Sequence, residues 1–355
     1  VKPPRSLLVV SAPDGAAARP GPRRDIDALR QELGADVIAP SAKGKHHASQ
    51  RALGLAWRAA RVAGNYDAIF ADGEHIGFPL AAMLRLRRSR PRLSFIGHYL
   101  SPRKKQMFAR GLGVASATER LVLHSPTQIA PARSMGFDDA RLAVVPYQVD
   151  PDFFLPSNGV PVDRYAAVGL EFRDYPTLLR AAAGIPVDLE VAVGSPWSKR
   201  PLNFDEREAP AHVRIARHDY PSLRDMYRRS KFVVVPLVEN DFQAGIIAIL
   251  EAMAMGKAVI ASRTQGQVGV VSGPLMRASG LDGEIVEQPQ YHANGIYVPP
   301  GDPDALAAAI NYLLEHPEVA ADMGANGRRL ASENMTVDLF AKRIGALVRN
   351  GDSAR

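Results

Sequence analysis

Glu251 is a carboxylate set inside an apolar run, IIAILEAMAM, and it demands an explanation. An ionised carboxylate in such surroundings is costly unless it finds partners. Donating hydroxyls, such as those of a sugar, satisfy it well because a carboxylate only accepts. Residues 244–255 read as a helix, and Gly256 stands where a glycine would end it. The β-branched run 232–237 before the helix and residues 259–262 after it read as strands. Such a strand–helix–strand unit belongs to a parallel sheet, where ligands bind beyond the C-terminal strand ends. The loop 239–243 lies at that end. Gly245 and Ile246 open the helix and offer unpaired N–H groups to an anion, with glycine permitting close approach.

Other chemically capable side chains also follow strands. Arg173 comes just after residues 165–168 and Gly169, where a guanidinium could meet the charge of a departing phosphate. Pairing with Asp174 is the plainer alternative. Lys199 and Arg200 follow the strand 189–193 as candidates for a second cation. His98 follows the strand 92–96, and its imidazole could bond a hydroxyl, although a lone histidine is more often structural. Glu74 and His75 lie in the expected loop 71–77, facing the same cleft on the side of an acceptor. His46 and His47 read as solvated.

Competing chemistry finds little support. No Cys/His cluster has zinc spacing, and neither a Walker loop nor a complete G-x-G-x-x-G is present. Asp25-x-Asp27, Asp150-x-Asp152 and Asp302-x-Asp304 resemble metal pairs, but they fall at a helix start, in a linker and at a helix cap. No metal and no cofactor are therefore expected.

The elements that must position these groups alternate throughout. In the first half, strands are expected at 6–11, 36–39, 66–70, 92–96, 121–124 and 142–145. Helices are expected at 25–33, 49–63, 79–86, 103–112 and 126–135. A proline-punctuated segment, 141–159, then separates a second series that begins with the strand 165–168. That series includes helices at 176–183, 221–229, 302–314, 317–331 and 337–348. This repetition predicts a doubly wound α/β protein. Residues 264–293 stand out as an irregular stretch that could shape or cover a pocket, or be an insertion with its own short helix.

The 355 residues suffice for two domains, and 46% hydrophobic content with 23% charge predicts packed globular structure. No run of eighteen apolar residues occurs. The apolar core near Val1 is too short for a signal peptide and reads as a strand, and a start without Met reads as trimmed. Cysteine is absent, which excludes disulfides and thiolate chemistry and is compatible with a reducing, cytoplasmic setting. The net charge of +7 is uneven: residues 1–156 carry +10 and the remainder −3. The basic clusters RLRRSRPR and PRKK attract phosphates or anionic lipid, so peripheral contact with the inner face of a membrane is one expectation and a merely solvated face the other. Nucleic acid is not expected, because no aromatic interleaving accompanies the charge.

The segment 232–262 resembles the donor-site signature of retaining GT-B glycosyltransferases of family 4: Glu, seven residues, a second Glu, an Ala-Met-Ala-like run, Gly and a strand. Here the second acid is Glu251, followed by AMAMGKAVIAS, while Gln243 stands where the first Glu is usual. The segment AAVGLEFRDYPTLLRAA resembles the family's Val-Gly-Arg, spacer, basic residue, Leu-Leu run, with Leu170 in the usual Arg position and Arg173 in the following basic one. The linker residues Val145, Pro146, Asp150 and Phe153 fit the family's order as well.

The resemblance implies a GT-B fold: two Rossmann-like doubly wound domains facing a cleft. Residues 1–156 would form the acceptor-side domain, 157–335 the nucleotide-sugar-binding domain, and 336–355 a helix crossing back to the first. It implies that a hexose-type sugar moves from a nucleotide-diphosphate sugar, by default a UDP-sugar, to an unknown acceptor (a glycan, a lipid-linked or a small molecule) with retention of configuration. Glu251 would hold the ribose, and Gln243 would touch the transferred sugar without the charge that supports an oxocarbenium ion. His98 would reach that sugar too, while Arg173, with Lys199, would hold the diphosphate. The departures at Gln243 and Leu170 keep two alternatives open, a GT-B sugar-nucleotide epimerase and a non-catalytic binding or scaffold subunit.

Overall fold

The computed structural model describes residues 4–13, 20–40, 48–157, 162–194 and 203–350. The chain divides into two compact units, one comprising residues 1–19, 23–146 and 337–355, the other 20–22 and 147–336. Asp150, Phe153 and Pro156 of the proline-punctuated segment thus belong to the second unit, and the last helix to the first.

The first unit holds six parallel strands: β1 (Ser6–Val9), β2 (Asp36–Ile38), β3 (Ala68–Ala71), β4 (Arg92–Gly97), β5 (Arg120–Leu123) and β6 (Leu142–Val144). Their order is β2-β1-β3-β4-β5-β6. Side chains alternate between two faces, as the period of a strand requires. Leu7, Val9, Ile69, Phe95 and Leu121 face helices α2 (Ala48–Val62), α3 (Glu74–Arg85) and α4 (Arg103–Gly111). On the other face Leu8, Phe70, Ile96 and Val122 pack against α1 (Asp25–Leu33) and the last helix, α11 (Val337–Asn350). A short helix, α5 (Ile129–Ser134), follows β5.

The structure corrects one expectation here. Glu74 and His75 are not in a loop: they form the first turn of α3. Pro79 lies inside this helix rather than at its start.

The second unit begins at β7 (Arg164–Val168), α6 (Tyr175–Ala182), β8 (Leu189–Ala192), β9 (Val213–Ala216) and α7 (Tyr220–Arg229). It continues through β10 (Ser230–Val235), α8 (Ile246–Ala254) and β11 (Ala258–Ser262). The stretch expected to be irregular or helical instead supplies a hairpin, β12 (Gly273–Arg277) and β13 (Gly280–Ile285). Then come β14 (Gly295–Val298), α9 (Pro303–Glu315) and α10 (Pro317–Asn334). The sheet order is β13-β12-β14-β11-β10-β7-β8-β9, parallel except for the β12–β13 pair. The order turns back between β7 and β10, the place where a doubly wound sheet opens a crevice.

Two of the three acidic pairs are structural, as expected. Asp302 caps α9 by accepting from the Ala305 N–H, and Asp150 accepts from the N–H groups of Asp152 and Phe153.

Candidate active site

In the second unit the loops after β7 and β10 bring Arg173, Gln243, Gly245, Ile246 and Glu251 into one unit. The loop before α6 is held firmly. Arg173 and Leu237 form an antiparallel bridge, and the Asp174 N–H donates to the Pro236 carbonyl. The Asp174 side chain accepts from the Thr177 N–H as the cap of α6, so this carboxylate serves the helix. Phe172 takes a left-handed φ of 57°, which costs an L-residue about 1–2 kcal/mol. Its ring meets Phe242 edge-on at 4.9 Å, tying the β7 loop to the β10 loop.

This backbone turns Arg173 inward. Its Nε donates to the Val168 carbonyl at 2.7 Å and Nη1 to the Glu171 carbonyl at 2.8 Å. Two glycines make its seat. A Cβ on Gly169 would stand 2.2 Å from Nη2, and one on Gly245 would stand 3.3 Å from Nη1. Both glycines also have positive φ, 107° and 77°, which side chains rarely tolerate. Nη2 has no hydrogen-bond partner among the described residues. Burial lowers the Arg173 pKa, while the nearby Tyr175, Tyr227, Glu171 and Glu251 favour its charge.

Gly245 caps α8, and Ile246 is its first residue. The first N–H groups of this helix have no intrahelical acceptor and lie at its positive end. Glu251, the sixth residue of α8, is buried, with 6% of its surface exposed. Tyr227 donates its hydroxyl to Oε2 at 2.9 Å. Oε1 has no hydrogen-bond partner among the described residues. Burial pushes the Glu251 carboxyl up to about 7, opposed by the Tyr227 hydrogen bond and the charge of Arg173. The Tyr227 hydroxyl is raised well above its ordinary range by burial and by Glu251.

Gln243 donates its amide to the Val268 carbonyl at 2.5 Å. Gln267, fully buried, donates to the Ala244 carbonyl at 2.6 Å. Gly266 allows the two loops to meet, since a Cβ there would lie 2.0 Å from the Phe242 carbonyl oxygen. Lys199 and Arg200 lie outside the described residues, as do His46 and His47.

In the first unit the C-terminal strand ends gather a second polar cluster. Glu74, buried at the start of α3, accepts from the His98 N–H at 3.1 Å and from Lys105 Nζ at 2.9 Å. Burial raises the Glu74 carboxyl, but the charges of His98 and Lys105 and their hydrogen bonds outweigh it and hold the pKa below its ordinary value. His98 Nε2 donates to the Asp72 carbonyl at 2.9 Å, which fixes the protonated nitrogen because a carbonyl only accepts. The His98 ring lies 5.3 Å from that of His124. His75, by contrast, is exposed. Asp72 accepts from both the N–H and the hydroxyl of Ser11, joining the ends of β1 and β3 where this sheet order turns back.

Sequence reasoning missed Lys105, His124, Tyr227 and Gln267, and it gave Asp25 a purely structural part. Burial and the neighbouring Asp72 raise the Asp25 carboxyl, whereas Asp27 pairs with Arg24 at 2.7 Å. Burial lowers His124 to about 3, leaving a neutral imidazole whose Nδ1 donates to the Val145 carbonyl. Among the described residues no group of three His, Asp or Glu could hold a metal ion.

Residues 173–316 match the family described as Glycosyl transferases group 1. No curated protein sequence matches the chain. In structure it is similar to sucrose-phosphate synthase of Thermosynechococcus elongatus, with TM-score 0.72 and 18% identity over 99% of this chain and 100% of that one. It is also similar to α,α-trehalose 6-phosphate synthase of Burkholderia multivorans, with TM-score 0.69 and 12% identity over 99% and 97%. A third similar structure is Anabaena HepE in complex with UDP, with TM-score 0.65 and 14% identity over 96% and 98%. The chain has the GT-B fold, two Rossmann-like parallel-sheet units, and the group 1 glycosyltransferase match falls within its second unit.

Proposed function

We propose that the chain is a retaining hexosyltransferase that uses a nucleotide-diphosphate sugar, with a UDP-sugar as the default donor. The observation that carries this reading is the Glu251 carboxylate: Tyr227 occupies one oxygen, the other has no hydrogen-bond partner among the described residues, and the charge of the buried Arg173 favours its ionised form. A pair of ribose hydroxyls fits an acceptor so arranged. The diphosphate then falls to Arg173 Nη2 and the opening amides of α8. The similar HepE structures include complexes with UDP and with UDP-glucose, which agrees with a uridine donor.

On this reading transfer is a front-face displacement. The bond from the sugar's anomeric carbon to the phosphate oxygen breaks, and the bond to the acceptor oxygen forms on the same face. The acceptor's proton passes to the leaving phosphate oxygen. Arg173 and the α8 amides stabilise the negative charge that grows on that phosphate, so no metal is required. Gln243 sits at the α8 entrance with its amide committed to Val268, leaving Oε1 to accept from a sugar hydroxyl. His98 and Glu74 belong to the acceptor side, with Lys105 holding Glu74 ionised.

Calorimetric titration with a panel of nucleotide sugars tests the proposal, followed by transfer assays that resolve the product anomer. Tight binding of one donor, lost in Glu251→Ala, is expected. Unchanged affinity in that variant, or an inverted product, would overturn it.

A further inference from the structure

The helix layer on one face of the first sheet has an outer surface of unusual chemistry. In α2, the exposed Leu53 and Trp57 stand one turn apart, and Arg61 lies 4.9 Å from the Trp57 ring. In α4, Met107 and Phe108 are 75% and 59% exposed. Leu86, just past α3, is 84% exposed. α3 packs against α2, and Arg85 at its end donates to the Leu112 carbonyl that closes α4, so the three apolar sites share one layer.

The charge around them has one sign. Neither α2 nor the whole stretch 75–118 contains an Asp or Glu. Arg87, Arg88, Arg103, Lys104 and Arg110 are exposed, and their side chains make no hydrogen bond or ion pair among the described residues. On a surface whose only purpose is solubility, charges of both signs are interspersed. Large exposed apolar side chains on the same helix layer as cations that are unpaired among the described residues instead match a layer that is anionic outside and apolar beneath.

We propose that this α2–α4 face docks the protein on an anionic lipid bilayer, with Trp57, Leu86, Met107 and Phe108 entering the headgroup boundary and the cations meeting lipid phosphates. The inner side of α4 carries Lys105, which holds Glu74. The same helix thereby joins the docking face to the polar cluster of the first unit. The proposal stands independently of the donor reading, since none of the docking residues lies in the second unit.

Vesicle flotation of the full chain tests it, using phosphatidylcholine alone and phosphatidylcholine mixed with phosphatidylglycerol, at about 0.1 M and about 1 M salt. Flotation only with phosphatidylglycerol, and falling with salt, is expected. Trp57→Ser combined with Phe108→Ser should weaken partitioning at least tenfold or so, and Arg103→Glu with Lys104→Glu should do the same. Calorimetric donor binding and the melting temperature of both variants should stay unchanged, showing that they fold. No flotation, equal binding to neutral vesicles, or wild-type partitioning of both variants would overturn the proposal. So would self-association in sedimentation equilibrium that the Trp57/Phe108 variant abolishes while the wild type fails to float.

Discussion

Gln243 and Gln267 tie the same two loops together from opposite sides: each donates its side-chain amide to a main-chain carbonyl of the other's loop, Gln243 to Val268 and Gln267 to Ala244. The entrance to α8 is therefore shaped by a pair of amides that only a donor at both positions can complete. Gln243→Glu removes a donor and sets a carboxylate against a half-buried carbonyl, leaving that acceptor unmatched at a cost of about 1–3 kcal/mol. We expect a lower melting temperature and no gain in transfer rate. A rise in rate at unchanged stability would show that the family's usual acid works here without the Val268 bond.

Donor affinity should follow the ionisation of Glu251, whose carboxyl is raised to about 7. Ribose hydroxyls donate to the ionised form, so affinity should weaken up to tenfold per pH unit below that value and level off above it. Glu251→Gln should bind more weakly at pH 8 and show no such profile. Titration calorimetry between pH 5.5 and about 8.5 reads both. Stability runs in the opposite direction. With the folded pKa above the unfolded one, Glu251 destabilises the fold as pH rises from the ordinary carboxylate value of 4.5 through about 7, by up to a few kcal/mol.

Tyr227→Phe deletes the one hydroxyl that holds Glu251 Oε2. Because that hydrogen bond lowers the carboxyl's pKa, its loss should move the midpoint of the donor-binding profile upward and weaken donor binding at neutral pH severalfold. An unshifted midpoint would mean that Tyr227 serves packing alone.

Gly245→Ala should be more damaging than a methyl group ordinarily is. The new Cβ would stand 2.8 Å from Val235 Cγ1 and 3.3 Å from Arg173 Nη1, at a φ of 77°. A loss of at least about 1 kcal/mol in stability is expected, with a larger proportional loss in donor affinity than in a control Gly184→Ala, whose Cβ meets nothing within 4 Å. Denaturant unfolding beside calorimetric titration separates the two effects.

Lys105→Met removes the ammonium beside the buried Glu74 and leaves its carboxylate with His98 alone; because Lys105 is 31% exposed, the loss should be about 1–3 kcal/mol, less than for a fully buried pair. Adding Glu74→Gln should recover part of that loss. The wild-type pair, with Glu74 lowered, should confer stability that is present above the ordinary carboxylate pKa of 4.5 and lost as pH falls through the lower folded value. Urea unfolding at pH 7 and pH 3 checks the cycle.

Much of this architecture could be read in advance because the strands are short β-branched runs and the helices carry clean apolar stripes. The helix 25–33 was legible to the residue. Glu251 was visible as a charge among aliphatics. Tyr227 and Gln267 were not, because their roles arise only when α7 and α8 share one face of the sheet and when one loop folds over another. The hairpin β12–β13 escaped notice for a different reason: the exposed strand 280–285 has no buried face and thus no apolar alternation to betray it. Pro79 misleads in turn, since proline commonly marks a helix start and here sits inside α3, so the sequence points to a loop where Glu74 and His75 form a helical turn.

Helix α11 places Phe340 and Ile344 beneath the first sheet with Leu8 and Phe70, strand residues made well before it. During synthesis that apolar underside must wait, uncovered, until the entire intervening unit has emerged. A nascent chain arrested before residue 337 would hence expose a sticky sheet face after the second unit is complete, which makes loss of α11 the change that turns a folding protein into a client of chaperones.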